Sequence, residues 1–172
     1  RSPADFDPDK KYPLVVFLHG AGERGDDNAA QLVHCMAAFC TAEHRQQYPC
    51  YVLAPQCPNK QKWADVDWSS DKPDFPKKIS RSLDLTMQVV DEMLADAAVD
   101  KNRVYIAGLS MGGYGTWDAL ARRPELFAAA IPICGGGSVE TVAAFKDIPL
   151  WCFHGGADNV VNVEMSRKMI AA

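Results

Sequence analysis

Ser110 stands between two glycines in Gly108-Leu109-Ser110-Met111-Gly112, after the apolar run RVYIAG (103–108) and before GGYGTWDAL (112–120). A sharp strand-to-helix turn lifts a serine hydroxyl clear of a sheet, and only small neighbours fit beside it. The pattern G-x-S-x-G is weak alone; the strand before it and the helix after it give it weight. The competing reading is a glycine-rich turn with an incidental serine. The chemistry such a serine could do is attack on a carbonyl carbon. That chemistry also calls for a base, an acid to orient the base, and N–H donors for the developing oxyanion. Met111, first in the expected helix, has an unpaired backbone N–H where the helix dipole favours negative charge. The second donor is expected in the loop LHGAGERGDDN (18–28), at Ala21, with Gly20 and Gly22 shaping the turn and letting backbone approach a bound substrate. His19 reads as a structural histidine at a strand end rather than a catalytic one, and Glu23 and Arg24, which could touch substrate, read better as solvated loop charges.

The acid is expected just past a later strand. PLWCFHGGADNVV (149–161) supplies Asp158 there, and the order serine then acid suits this chemistry. His154 lies too close to its own strand end to serve as the base and reads as structural.

These groups need a scaffold that presents them together. Five short apolar runs read as buried strands: 13–18, 50–54, 103–108, 128–134 and 149–153. They are continuous rather than alternating, as parallel strands covered on both faces should be. Helical patterns lie between them. Asn28 with Gln31 resembles a capping box opening a helix to about Phe39. Ile79, Leu83, Thr86, Val90, Met93, Leu94 and Ala97 form an apolar stripe, with Asp84, Gln88 and Asp91 facing out. The helix after Ser110 carries Tyr114, Trp117, Leu120 and Ala121 until Arg122-Arg123-Pro124 stops it. A last helix is expected from Val163. Alternating strands and helices predict an α/β fold, a doubly wound, mostly parallel sheet with helices on both faces, whose ligand site lies at the carboxyl ends of the strands. The long irregular stretch 55–78 holds Trp63 and Trp68; it is expected to line a substrate entrance, with Trp63 the contact.

With 172 residues, 48% hydrophobic and 23% charged, the composition is that of one ordinary globular domain. A formal net charge of −4 and the lack of any basic run exclude a nucleic-acid partner as the leading reading. No apolar stretch approaches a membrane span. His34, Cys35, Cys40 and His44 match no standard zinc spacing, so no metal is expected. A disulfide among Cys35, Cys40, Cys50 and Cys57 is the better reading of those thiols. The compartment stays open, with a secreted or periplasmic location favoured over the cytoplasm.

LHGAGERGDDN, YVLAPQCP, GLSMGGYGTWDAL, PICGGG and FHGGADNVV together resemble the α/β-hydrolase serine esterases. The likeness is to the polyhydroxybutyrate depolymerase, prolyl-oligopeptidase-like and phospholipase/carboxylesterase groups. It implies Ser110 as nucleophile, Asp158 as triad acid, Ala21 and Met111 as oxyanion donors, carboxylic esters as substrates and no cofactor. The alternatives are a peptidase of the same fold, or a binding module that kept the fold without the catalytic histidine. Members of the resembled family carry that histidine downstream of the acid, whereas His19, His34, His44 and His154 all precede Asp158. The expectation is therefore a single catalytic domain over 1–172 that lacks terminal strands, incomplete at its C-terminus and also at its N-terminus.

Overall fold

The structure, a computed structural model, describes residues 1–68, 70, 72–95 and 98–172. Strands β1 (Tyr12–Leu18), β2 (Tyr51–Leu53), β3 (Val99–Leu109) and β4 (Ala129–Ile133) form a parallel sheet in the order β2-β1-β3-β4. The expected fifth strand, 149–153, runs parallel to β4 but pairs only through single bridges, Ala130 to Leu150 and Ile133 to Phe153. Helices α1 (Cys35–Phe39), α2 (Ala42–Gln47), α3 (Arg81–Ala95), α4 (Met111–Arg122) and α5 (Glu164–Ala171) connect and cover it.

Strand side chains alternate, so the two faces of the sheet have separate cores. On one face Leu14, Val16, Leu18, Val104 and Ile106 pack against Leu83, Met87 and Val90 of α3 and Trp117 and Leu120 of α4. Each of these large apolar side chains contributes about 1.5–3 kcal/mol by leaving water. On the other face Phe17, Val52 and Met36 form a smaller cluster with half-buried Val15, Phe39, Ala107 and Leu109. That second face is covered only near β1 and β2. Toward β4 it is open: Ile131, Trp151 and Phe153 are exposed, with the last two rings 4.8 Å apart. The expectation of strands buried on both faces therefore holds for β1 and fails at the β4 end.

Two local expectations are corrected. Asn28 has φ 52° and does not cap a helix; Asp27 accepts the N–H groups of Ala29 and Ala30 instead, at 2.9 and 3.0 Å, and opens only a short 3-10 turn, Ala30–Leu32. Gln31 Nε2 reaches Asn28 Oδ1 at 2.8 Å, a side-chain pair that leaves no backbone donor satisfied. The six cysteines are free, and no disulfide forms among the described residues. The stripe on α3 buries Leu83, Thr86 and Val90 as its spacing predicts, and Met93 and Leu94 pack at its edge. Ala97, assigned to the same stripe, lies outside the described residues.

Candidate active site

Ser110 joins β3 to α4 with φ 55° and ψ −113°, a left-handed backbone that few non-glycine residues adopt. Neighbouring backbone packs closely around that turn. A Cβ on Gly112 would lie 1.8 Å from Leu18 O, and one on Gly108 would lie 2.1 Å from Gly112 O. The two flanking glycines thus let α4 start against the end of β1. Ser110 N–H donates to Ile133 O at 2.8 Å, and Tyr114 N–H donates to Ser110 O at 3.1 Å, which fixes the turn from both sides. No group among the described residues hydrogen-bonds the half-buried Ser110 hydroxyl.

Across from the serine, Gly20 leads into a 3-10 turn, Ala21–Glu23. A Cβ on Gly20 would stand 3.8 Å from Ser110 Cβ, so this loop packs beside Ser110. Ala21 opens its turn and Met111 opens α4, so neither N–H has an acceptor within its own turn. Gly22 is different: a Cβ there would meet nothing within 4 Å, so the close approach expected of it is not what the structure requires.

The loop is held by His19, in the structural role expected of it, and by Gln56, which sequence patterns did not single out. His19 is 2% exposed; its Nδ1 donates to Gly20 O at 2.6 Å and its Nε2 accepts the Cys57 N–H at 2.8 Å. Both ring nitrogens are used in the neutral form, and burial pushes the imidazole pKa below its ordinary value. Gln56 donates to Glu23 O at 3.3 Å and Asp27 Oδ1 at 2.8 Å, and accepts from Asn28 N–H at 2.7 Å. Arg24 donates to Ala21 O at 2.8 Å and to Gln61 O at 3.4 Å, so it is a brace and not a solvated charge. Glu23 is sheltered too, with a side chain 16% exposed.

Trp63 was expected at a substrate entrance, and its position is a correction. It is 1% exposed, donates its indole N–H to His19 O at 2.9 Å, and meets the His19 ring edge-on at 5.2 Å. A Cβ on Gly115 would lie 2.4 Å from Trp63 Cβ, so the helix after the serine carries glycine where the tryptophan crosses it. The ring therefore supports the site from within the core. Of the two tryptophans in 55–78, Trp68 is the one that reaches open space: with Asp158, Asn159, Val160 and Met165 it lines a cavity of about 360 Å³.

Asp158 sits on the loop after residues 149–153. Its Oδ1 accepts the N–H groups of Val160 and Val161 at 2.8 and 3.0 Å, and its Oδ2 lies 3.6 Å from His154 Nε2. The two backbone donors first, and His154 beside it, hold its carboxyl below the ordinary carboxylate value. His154 faces Ser166 Oγ at 2.7 Å through Nδ1 and Val161 O at 2.9 Å through Nε2, so it braces the loop. The Tyr114 hydroxyl is buried without a hydrogen-bond partner among the described residues; burial raises its pKa, and the charge of Asp158 adds to the effect. His34 lies 3.3 Å from Glu23 Oε1, and His44 bonds Thr41 and Ala38 O. The structure therefore does not gather His34, Cys35, Cys40 and His44; among the described residues there is no group of three that could hold a metal ion. None of the chain's helices, among the described residues, is long and apolar enough to cross a membrane.

Comparison with known proteins agrees with this fold. The crystal structure of a thermostable esterase superposes with a TM-score of 0.90 at 48% identity, over 99% of this chain and 45% of that one. Lysophospholipase-like protein 1 of Mus musculus is 26% identical over 162 residues, 86% of this chain and 66% of its own length. Poly(3-hydroxyalkanoate) depolymerase C of Paucimonas lemoignei is 47% identical over 49 residues, 28% of this chain and 12% of its own. The chain thus spans less than two thirds of each of these relatives. The phospholipase/carboxylesterase family model matches residues 7–171, so the chain belongs to that family of α/β-hydrolases.

Proposed function

We propose that the protein is a serine hydrolase that cleaves carboxylic esters through an acyl-enzyme on Ser110. The observation that carries this reading is the conformation of Ser110, held at φ 55° at the start of α4 beside the Gly20–Ala21 turn. A strained backbone that presents an unbonded hydroxyl fits a nucleophile better than a spacer. In this mechanism Ser110 Oγ attacks the ester carbonyl while its proton passes to an imidazole. The Met111 and Ala21 N–H groups hold the oxyanion. Collapse breaks the ester C–O bond, the imidazole returns the proton to the leaving alcohol, and water then attacks the acyl-serine by the reverse path. Asp158 would orient the imidazole, its Oδ1 already committed to backbone and its Oδ2 turned to solvent or ring nitrogen.

In this reading the base is none of the four histidines of this sequence. Both ring nitrogens of His19 and of His154 are engaged, and neither His34 nor His44 bonds the serine. This same observation favours the rival reading, a binding module with the fold but no base. A fluorophosphonate probe separates the two in the complete protein. Labelling that is lost in Ser110→Ala, together with loss of p-nitrophenyl ester hydrolysis and an unchanged melting curve, supports the hydrolase. An unlabelled complete protein supports the module.

A further inference from the structure

We propose that Glu23 forms a subsite beside the nucleophile for a hydroxyl group carried by the ester substrate, a proposal that rests on the reading of Ser110 above. Glu23 ends the turn that Ala21 begins, and its side chain folds back over Gly20. Its Oε2 lies 2.9 Å from the point where a Cβ on Gly20 would stand, and Ser110 Cβ lies 3.8 Å from that same point. The carboxylate oxygen and the nucleophile therefore share one side of Gly20. The side chain is only 16% exposed, yet its oxygens are used sparingly. Oε1 faces His34 Nε2 at 3.3 Å, and Oε2 has no hydrogen-bond partner among the described residues.

The neighbouring cation does not quench it. Arg24 is turned to Ala21 O and Gln61 O. Gln56 Nε2 meanwhile holds the Glu23 carbonyl at 3.3 Å, which fixes the backbone that carries the carboxylate. A carboxylate is an acceptor only, and one that is sheltered and anchored gains most from a donor placed against it. A hydroxyl next to the scissile ester supplies that donor, as in a partly esterified sugar or polyol. A second carboxylate at the same place would be repelled. An unfunctionalised alkyl group would leave Oε2 facing it without a partner.

The test uses the complete protein and three acetates on one ring: the monoacetate of trans-cyclohexane-1,2-diol, cyclohexyl acetate, and 2-acetoxycyclohexane carboxylate. The expected order of kcat/KM is hydroxyl, plain, carboxylate, with the hydroxyl worth about tenfold or more over the plain ring. Glu23→Gln should keep the hydroxyl preference, because the amide oxygen still accepts, and lose the discrimination against carboxylate. Glu23→Ala should bring the hydroxyl-to-plain ratio close to one. Fluorophosphonate labelling of Ser110 is followed in every variant. Labelled Ser110 with no hydroxyl preference in the wild type, or with ratios unchanged in both variants, overturns the subsite alone. An unlabelled wild type overturns the hydrolase reading and the subsite with it.

Discussion

The two flanks of Ser110 are built differently. On the β1 side, the loop of Gly20 and Ala21 is tied to the segment after β2 through His19, Arg24, Gln56, Cys57 and Trp63, much of it buried. On the other flank, Asp158 hangs on a loop past residues that pair with β4 by single bridges, beside Val160 at 80% exposure and Trp151 at 67%. One flank is packed like a core and the other like a surface. Oxyanion donors must be fixed before charge develops, because their benefit depends on not having to reorganise. An acid that only orients a base can be held by its own turn, as Asp158 is held by two backbone N–H groups.

Removing Trp63 should break this contrast most. Trp63→Ala empties a buried site and leaves His19 O without its donor, which should cost about 3–5 kcal/mol and lower the melting temperature by about 10 °C. Trp63→Phe keeps most of the packing and isolates the lost hydrogen bond, at about 1–2 kcal/mol. A Trp63→Ala variant that melts like the wild type would mean that the ring faces substrate after all.

Acid should sharpen the contrast next. Burial pushes the His19 pKa below its ordinary value of 6.5, so below that pH the unfolded chain binds a proton that the folded chain refuses. The stability held by neutral His19 is complete above about pH 6.5 and is lost as the pH falls below it. Asp158, with a pKa lowered from 3.8, keeps its contribution until the pH falls below that value. Urea midpoints at pH 7.5 and 5.5 should therefore differ in the wild type and differ less in His19→Gln, while Asp158→Asn leaves that difference as it was.

A smaller effect on stability is expected at the acid itself. Asp158→Ala should cost about 1 kcal/mol in urea unfolding, the worth of its turn bonds, while kcat for p-nitrophenyl esters in the complete protein falls about ten-thousandfold. The smallest effect belongs to the open face: Trp151→Ser should move stability by no more than about 0.5 kcal/mol. A larger loss would mean that the ring is covered in solution.

What the sequence disclosed, and what it withheld, follows the range of the interactions. The elbow was legible because its signature is local: two glycines within two residues of Ser110, one of them packed against Gly112 O of the same turn. The stripe of α3 and the stop at Pro124 were legible for the same reason, since period and proline act within one element. The role of Trp63 was not, because its partner His19 O is 44 residues away and nothing in a loop's composition says which ring turns inward. Gln56 escaped notice, and Glu23 and Arg24 were read as solvated, for a similar reason; their meaning lies in contacts within a loop held from another strand. The capping box failed because Asp27, one residue earlier, competes for the same backbone donors and wins.

The left-handed backbone of Ser110 carries an evolutionary consequence. Among the described residues no glycine has positive φ, yet Ser110 does, at 55°, as do Asp5, Asn28, His34, Lys60 and Cys134. Glycine at this position would relieve about 1 kcal/mol of strain, so Ser110→Gly should raise the melting temperature while abolishing acyl transfer. Mutational drift in a lineage with no use for the hydroxyl would run toward that more stable glycine.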